Sequence, residues 1–473
     1  MAKGISKLLF DRRDYDLLSI VNDVLNREQS LSYLRNLLYP YMHPRGIKEM
    51  AASRGLRMAY AAVRLMESLE LGKADDRITA LRCLRDEVMH SGDSPMPNNM
   101  ARVLLVIMKE MVRARDDKYR QLQLAHDFRT AATGKPRHIR AFLHRYFLLE
   151  MPEEWNQETF DDHVHDFNTK GRKSPSHLIM DAWIKGIRRL TVIYYNYVGA
   201  KAVEELLEAA EIMGIDVRIG VESSARFRGR YVQLIWVPRG FSDARDFLSF
   251  LSDPLVEAFM REGRKVSEYQ QRYVLAVLRE FNDRHRLEIN RYFGLELAPL
   301  DQTEFLAFVG AGQASILHLA QFIHGNLLAT MQARMAELRE CYQHASSEEC
   351  QKLIALVEEM RDLDSEEIVE RFLRPAKNPG IPNPHIPRDD ADVPNLLWLS
   401  PSELVERLSN LHSGYRITLN LSNLKAEDVI ELLYDCRGAI THLEIFNLKD
   451  YMSGKAPAYE EINDLQRSLN DGN

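Results

Sequence analysis

The sequence predicts an α/β protein in which an all-helical N-terminal part precedes alternating strands and helices. Three observations carry this expectation. Over residues 1–150 apolar side chains recur at helical spacing, as at Ile78, Leu81, Leu84 and Val88, and at Val103, Leu104, Ile107, Met108, Met111 and Val112. From about residue 156 short apolar runs alternate with amphipathic stretches, the texture of βαβ units in a parallel sheet or barrel. The charge divides at the same place: residues 1–150 hold 26 Lys+Arg against 18 Asp+Glu, and the remainder 36 against 51, within a net −7. Such a split marks separate domains, and a basic half can contact nucleic acid or an acidic partner.

Length and composition narrow the class further. A chain of 473 residues, 45% hydrophobic and 28% charged, has room for two or three domains and is too apolar to be disordered. Its four cysteines (Cys83, Cys341, Cys350, Cys436) form no CxxC pair. Neither a disulfide framework nor a cysteine zinc site is expected, and a cytoplasmic location fits best. The opening residues lack a signal-peptide core, and no uncharged apolar run approaches the ~20 residues that span a bilayer.

Taken in order, the N-terminal helices break at 40–44 and at the Pro/Ser/Gly/Asn-rich stretch 91–99. A basic segment follows over 113–145, where Phe142, Tyr146 and Phe147 read as a core stripe rather than a base-stacking platform. Next come a strand at 190–195 (LTVIYY), a helix at 200–213, strands at 217–221 and 231–237, and helices at 266–281 and 316–335. Residues 336–372 are helical and acidic, and 375–394 hold six of the 18 prolines, the composition of a loop or semi-rigid linker. The βα pattern resumes with a helix at 401–408, a strand at 415–421, a helix at 426–436 and a strand at 440–446. The domains expected are 1–155, basic and helical; 156–335, the first βα part; 336–395, acidic helices and Pro-rich loop; and 396–473, the later βα part.

The chemistry is expected in 161–175, DDHVHDFNTKGRKSP. His163 and His165 sit two apart, which on a strand points both imidazoles to one face, as a metal requires. The stretch resembles the first motif of the PHP (polymerase and histidinol phosphatase) family, a DxHxH strand end followed by a Gly and a helix-opening Ser-Pro. His163, His165, Gly171, Ser174 and Pro175 stand at those places. Residues 186–223 resemble the family's second and third motifs, with Glu222 on the glutamate of a strand-ending Gly-x-Glu, and 399–446 echo its later part. The resemblance implies a PHP-like (β/α) barrel and metal-dependent phosphoester hydrolysis.

The departures imply a degraded site. Lys170 replaces an acidic ligand, Tyr194 and Tyr195 replace an Asp-His pair, and 420–423 (NLSN) lacks a family histidine. No histidine follows in 447–473, so the chain is expected to be either a piece of a longer protein or a barrel that has lost its end. His163, His165 and Glu222 still make a His₂Glu set for one divalent metal (Zn, Mn or Fe). Arg226, Arg228 and Arg230 would share a face of an extended segment beside the site and hold a phosphate; the plainer reading is a solvated edge strand.

Other features point elsewhere. Residues 308–315 (FVGAGQAS) look like a glycine-rich loop between a strand and a helix, but lack the third glycine and the following acidic residue of a dinucleotide site. Gly310 and Gly312 are therefore read as shaping a βα turn. His318 and His324 lie six apart on one predicted helix, on different faces. Three functions follow: a one-metal phosphoesterase at most; a non-catalytic barrel binding a phosphorylated small molecule or a protein partner; or a nucleic-acid-associated protein led by its basic helical part. No membrane partner is expected.

Overall fold

Among the described residues, every regular element from Arg12 to Arg145 is helical. The computed structural model describes residues 10–27, 32–90, 94–153, 159–310, 312–422, 424–444 and 459–470. The expected boundary at 155, Asn423 of the NLSN stretch, and the end of the last strand with 447–458 lie outside them. Helices begin where the sequence supplies caps. Asp11 and Asp14 form a reciprocal capping box on α1 (Arg12–Leu25), and proline opens α4 (Pro97–Arg113) and α6 (Pro136–Arg145). Between them lie α2 (Arg54–Leu71), α3 (Ala74–Leu84) and α5 (Lys118–Ala132). The predicted periodic residues Leu81, Leu84, Leu104, Ile107 and Met111 are fully buried.

The chain divides into two compact units. The first comprises Met1–Val164, Lys173–Val192 and Ala200–Arg218. Besides the helices above, it holds β1 (Phe160–Val164) and α7 (Pro175–Lys185), followed by the start of β2 (Arg189–Tyr195) and by α8 (Ala200–Met213). Polar groups tie its elements together. Glu205 of α8 accepts two hydrogen bonds of 2.7 Å from the Arg77 guanidinium on α3 and one of 2.8 Å from Ser176 Oγ on α7. A bidentate pair of this kind fixes direction as well as distance. Arg102 of α4 is fully buried and donates to Ile184 O (2.7 Å), Asn99 Oδ1 (2.9 Å) and Leu149 O (2.9 Å). Burial pulls its guanidinium down to about 10.

The second unit comprises His165–Arg172, Ile193–Gly199 and Ile219–Asn473. It carries most of β3 (Asp216–Phe227), then β4 (Arg230–Pro238), α9 (Pro254–Glu280), α10 (Gln302–Val309), α11 (Ile316–His344), α12 (Pro401–Leu411), β5 (Tyr415–Asn420), α13 (Ala426–Asp435) and β6 (His442–Glu444). Val277, Phe281, Phe305, Leu319 and Ile323 form its helical core. The Pro-rich stretch 378–394 is irregular, as its composition requires.

Six strands form one sheet in the order β1-β2-β3-β4-β5-β6. The pairing corrects the expectation of a uniformly parallel sheet. β1 and β2 are parallel, as are β5 and β6, but β4 runs antiparallel to both β3 and β5. The cause is a two-residue hairpin: Phe227 pairs with Arg230, and Arg228 and Gly229 between them take φ +47° and +74°. A second correction concerns 305–309, which is the end of helix α10 and not a strand before a glycine-rich loop. Asp301 caps that helix through Thr303 N (2.7 Å) and Glu304 N (2.9 Å).

One half-buried histidine in the first unit, His177, makes a pH prediction. Burial, with the cations of Lys173, Lys109 and Arg77 adding to it, pulls His177 down to about 4; Asp181 Oδ1 at 3.9 Å does not offset them. The unfolded chain therefore binds a proton below ~6.5 that the folded chain refuses until about 4, so this contribution is complete above ~6.5 and lost as the pH falls through that window. His177→Gln should flatten the dependence of urea stability on pH between 6.5 and 4, where the native chain loses on the order of 2–3 kcal/mol.

Candidate metal centre

His163, His165 and Glu222 each offer a ligand atom, and the three atoms lie within 4.8 Å of one another. The structure thus brings together the three ligands expected from the sequence. His163 lies in β1 and His165 directly after it, where the pairing with β2 shifts register between Asp161 and Val164. Bulges of this kind re-aim side chains beside functional sites. Glu222 sits mid-strand in β3, 6% exposed, with Asn196 N donating to its carbonyl at 2.8 Å.

The protonation of His165 follows from its partner. Its Nδ1 lies 2.8 Å from the carbonyl oxygen of Ile193, which can only accept. In the neutral ring Nδ1 therefore carries the hydrogen and Nε2 the lone pair, the arrangement found in metal-binding histidines. Two imidazole nitrogens and a carboxylate are the donor set that one divalent ion takes with bonds of ~2.0–2.2 Å, and donors up to 4.8 Å apart would draw together around it.

Tyr194, Tyr195 and Lys170, which the sequence resemblance set at positions without ligands, have contacts of other kinds. Tyr194 is buried and donates its hydroxyl to Asp166 Oδ2 at 2.7 Å. Tyr195 stacks on the His165 ring, centroids 5.1 Å apart, and Lys170 Nζ lies 4.8 Å from the Tyr195 ring. Burial first, then the carboxylates Glu222 and Glu444, push the Tyr195 phenol well up. That link also draws attention to Glu444 in β6, which the sequence reading passed over.

Asp166 was likewise passed over, although it directly follows His165. Its buried carboxylate accepts from Tyr194 and from Asn168 N (2.8 Å), while its carbonyl accepts from Gly171 N at 2.8 Å. The turn closes so tightly that a Cβ at Gly171 would stand 2.2 Å from His165 O and 2.6 Å from Asp166 C. Only glycine fits, which gives the motif's glycine its physical reason.

The glycine-rich segment proves to be a brace. Gln313 N donates to Asn168 O at 2.8 Å, and its side-chain amide donates to the carbonyls of Tyr195 (2.5 Å) and Tyr197 (3.0 Å). One residue thereby joins the loop after β1 to the loop after β2. His318, fully buried, sets its Nδ1 3.0 Å from Gln313 O and its ring 4.7 Å from Phe167. His324 lies further along α11, in no metal-binding group among the described residues.

The arginines are placed differently from the extended face expected of them. Arg228 sits in the hairpin turn, which breaks the run. Arg226 pairs with Asp389 at 2.6 Å, Arg228 with Asp428 at 3.3 Å and with Glu431, and Arg230 with Asp428. A phosphate on these residues would have to displace those carboxylates.

Comparison with known proteins adds likeness without assignment. No family model matches the chain, and no curated protein matches it. Among solved structures, a provisionally assigned metal-dependent phosphoesterase from Bifidobacterium adolescentis matches at 14% identity and TM-score 0.39, covering 66% of this chain and 82% of that one. An amidohydrolase from Chromobacterium violaceum, with bound sulfate and no metal, matches at 14% identity and TM-score 0.36, covering 62% and 81%. At such scores neither likeness fixes the fold or chemistry of this chain.

The brace is testable by hydrogen exchange. Gln313→Ala should speed amide exchange about tenfold or more in 166–171 and 195–199, against unchanged rates in α1–α6. Mass-spectrometric exchange on the folded variant reads this directly, and unchanged rates in both loops would remove Gln313 from its place.

Proposed function

We propose that this chain is a divergent PHP-like α/β barrel that keeps a one-cation centre and acts on, or holds, a phosphorylated ligand. The observation that carries the reading is the convergence of His163, His165 and Glu222, with the tautomer of His165 set by Ile193 O. His163, His165 and Glu222 would hold one divalent ion (Zn, Mn or Fe). When bound, such an ion polarises a phosphoryl oxygen and lowers the pKa of a coordinated water. The chain's own part is to orient the ligands through Ile193 O and the 166–171 turn. Tyr195 and Lys170 shield one side of His165. A second or third ion of the family's type has lost its donors, because Tyr194, Tyr195 and Lys170 stand where carboxylate and imidazole are needed.

A second reading, a barrel that binds a phosphorylated ligand or a protein without turnover, is favoured by Lys170. Its ammonium beside Tyr195 supplies positive charge to an anion without any ion. The nucleic-acid reading draws less support, since part of the N-terminal charge excess lies inside: Lys48, Arg57 and Arg102 are buried. No helix among the described residues is long and apolar enough to cross a membrane. The four thiols are free, and we place the chain in the cytoplasm on that ground.

Metal analysis of the purified, zinc- or manganese-loaded chain tests the proposal. About one ion per chain is expected, and none in the His163→Ala/His165→Ala double variant. Failure of the native chain to retain any ion would refute the one-cation centre. Hydrolysis of p-nitrophenyl phosphate above the double variant's rate then assigns a phosphoesterase, while a loaded chain without turnover assigns the binding barrel.

A further inference from the structure

We propose that a cavity in the first unit, remote in sequence from the metal motif, binds a small phosphate-bearing molecule. The cavity measures about 270 Å³, below the ~300–1,000 Å³ usual for drug-sized ligands and enough for phosphate or a small monoester. Its base is a buried ionic triad. Lys48 Nζ donates to Glu87 Oε1 at 2.8 Å, and Arg57 Nε donates to Glu87 Oε2 at 2.9 Å. Arg57 Nη1 also donates to Ala52 O at 2.7 Å. All three side chains are at most 7% exposed. Two cations thus share one carboxylate, and a surplus positive charge out of water is costly unless an anion meets it.

The rest of the lining is consistent with that charge. Arg45, whose Nε also donates to Glu49 Oε1 at 2.8 Å, lines the cavity with His43 and His90, and among the described residues Asp86 is the one other lining carboxylate. Donor side chains therefore approach from the helix Arg45–Ala51 (Arg45 and Lys48), from helix α2 (Arg57) and from His90 just after the π-helical turn Arg85–Met89, while the turn itself supplies the carboxylates Asp86 and Glu87. Wide-spaced turns of this type recur at functional sites, where they aim side chains that a regular helix would not. Tyr41, also lining the cavity, holds a left-handed backbone (φ +64°), and its hydroxyl accepts from Arg85 Nη2 at 2.8 Å. A non-glycine residue kept in that conformation is costly and is retained where its surroundings fix it. A tetrahedral anion accepts from several directions at once, whereas a planar carboxylate suits a single fork; the three-sided arrangement favours phosphate. A cation is disfavoured, because among the described residues the only ligand group close enough to hold one is His163, His165 and Glu222.

The test is titration of inorganic phosphate into the full chain after metal removal with a chelator, read by calorimetry. Saturable binding is expected to the native chain and equally to His163→Ala/His165→Ala, which separates this cavity from the metal centre. Arg57→Gln at the base and Arg45→Gln at the exposed rim should each weaken it at least about tenfold. Should Arg57→Gln fail to fold, Arg45→Gln decides. Acetate at equal concentration should not compete. Absence of saturable binding, unchanged affinity in Arg45→Gln, or loss of binding in the double histidine variant would overturn the proposal. So would binding of a DNA oligonucleotide by a chain that ignores phosphate, which would return the basic half to nucleic acid.

Discussion

The hydrogen bond from His165 Nδ1 to the Ile193 carbonyl is the contact on which the site depends. It joins the end of the first strand to the second, selects the tautomer, and leaves Nε2 as the nitrogen with a lone pair. Everything around it holds that geometry. The turn 166–171 closes on Asp166 O with no room for a side chain at Gly171. Tyr194 locks the Asp166 carboxylate, Tyr195 lies against the imidazole, and Gln313 bridges both loops. In the proposed site His165 is thus oriented before any ion binds, by packing and by the carbonyl behind it.

The residues at which this chain departs from the motif it resembles make contacts of their own. A tyrosine in place of an acidic ligand brings a hydroxyl that donates, and at Tyr194 it donates to a buried carboxylate. A tyrosine in place of histidine brings an aromatic face, and at Tyr195 it stacks on the neighbouring ligand. Lys170 then finds that face. These contacts are made by a hydroxyl donor, an aromatic ring and an ammonium.

Much of the fold was legible because local signals suffice for it. The β-branched and aromatic run LTVIYY forms β2, and Ala200–Met213 is the helix its apolar spacing demands. What failed was what short apolar runs cannot encode. FLAFV is too brief to tell strand from helix by period, although Asp301 three residues before Glu304 was a visible cap. The antiparallel β4 depended on two residues, Arg228 and Gly229, taking positive φ, which an Arg-Gly pair signals weakly. At the site, the ligands were readable from spacing, but their supports were not. Gln313 reaches Tyr195 across 118 residues, and Arg226 meets Asp389 across 163. Such partners leave no local pattern in the chain.

On the reading proposed above, these three side chains form one pre-set cation site. An anomalous-scattering crystal structure of the zinc-soaked chain tests it most directly. A single strong peak is expected, bonded to His165 Nε2, His163 and Glu222, with Nδ1 of His165 still on the Ile193 carbonyl. A soaked crystal with no peak there, or with zinc bound through His165 Nδ1, would contradict it.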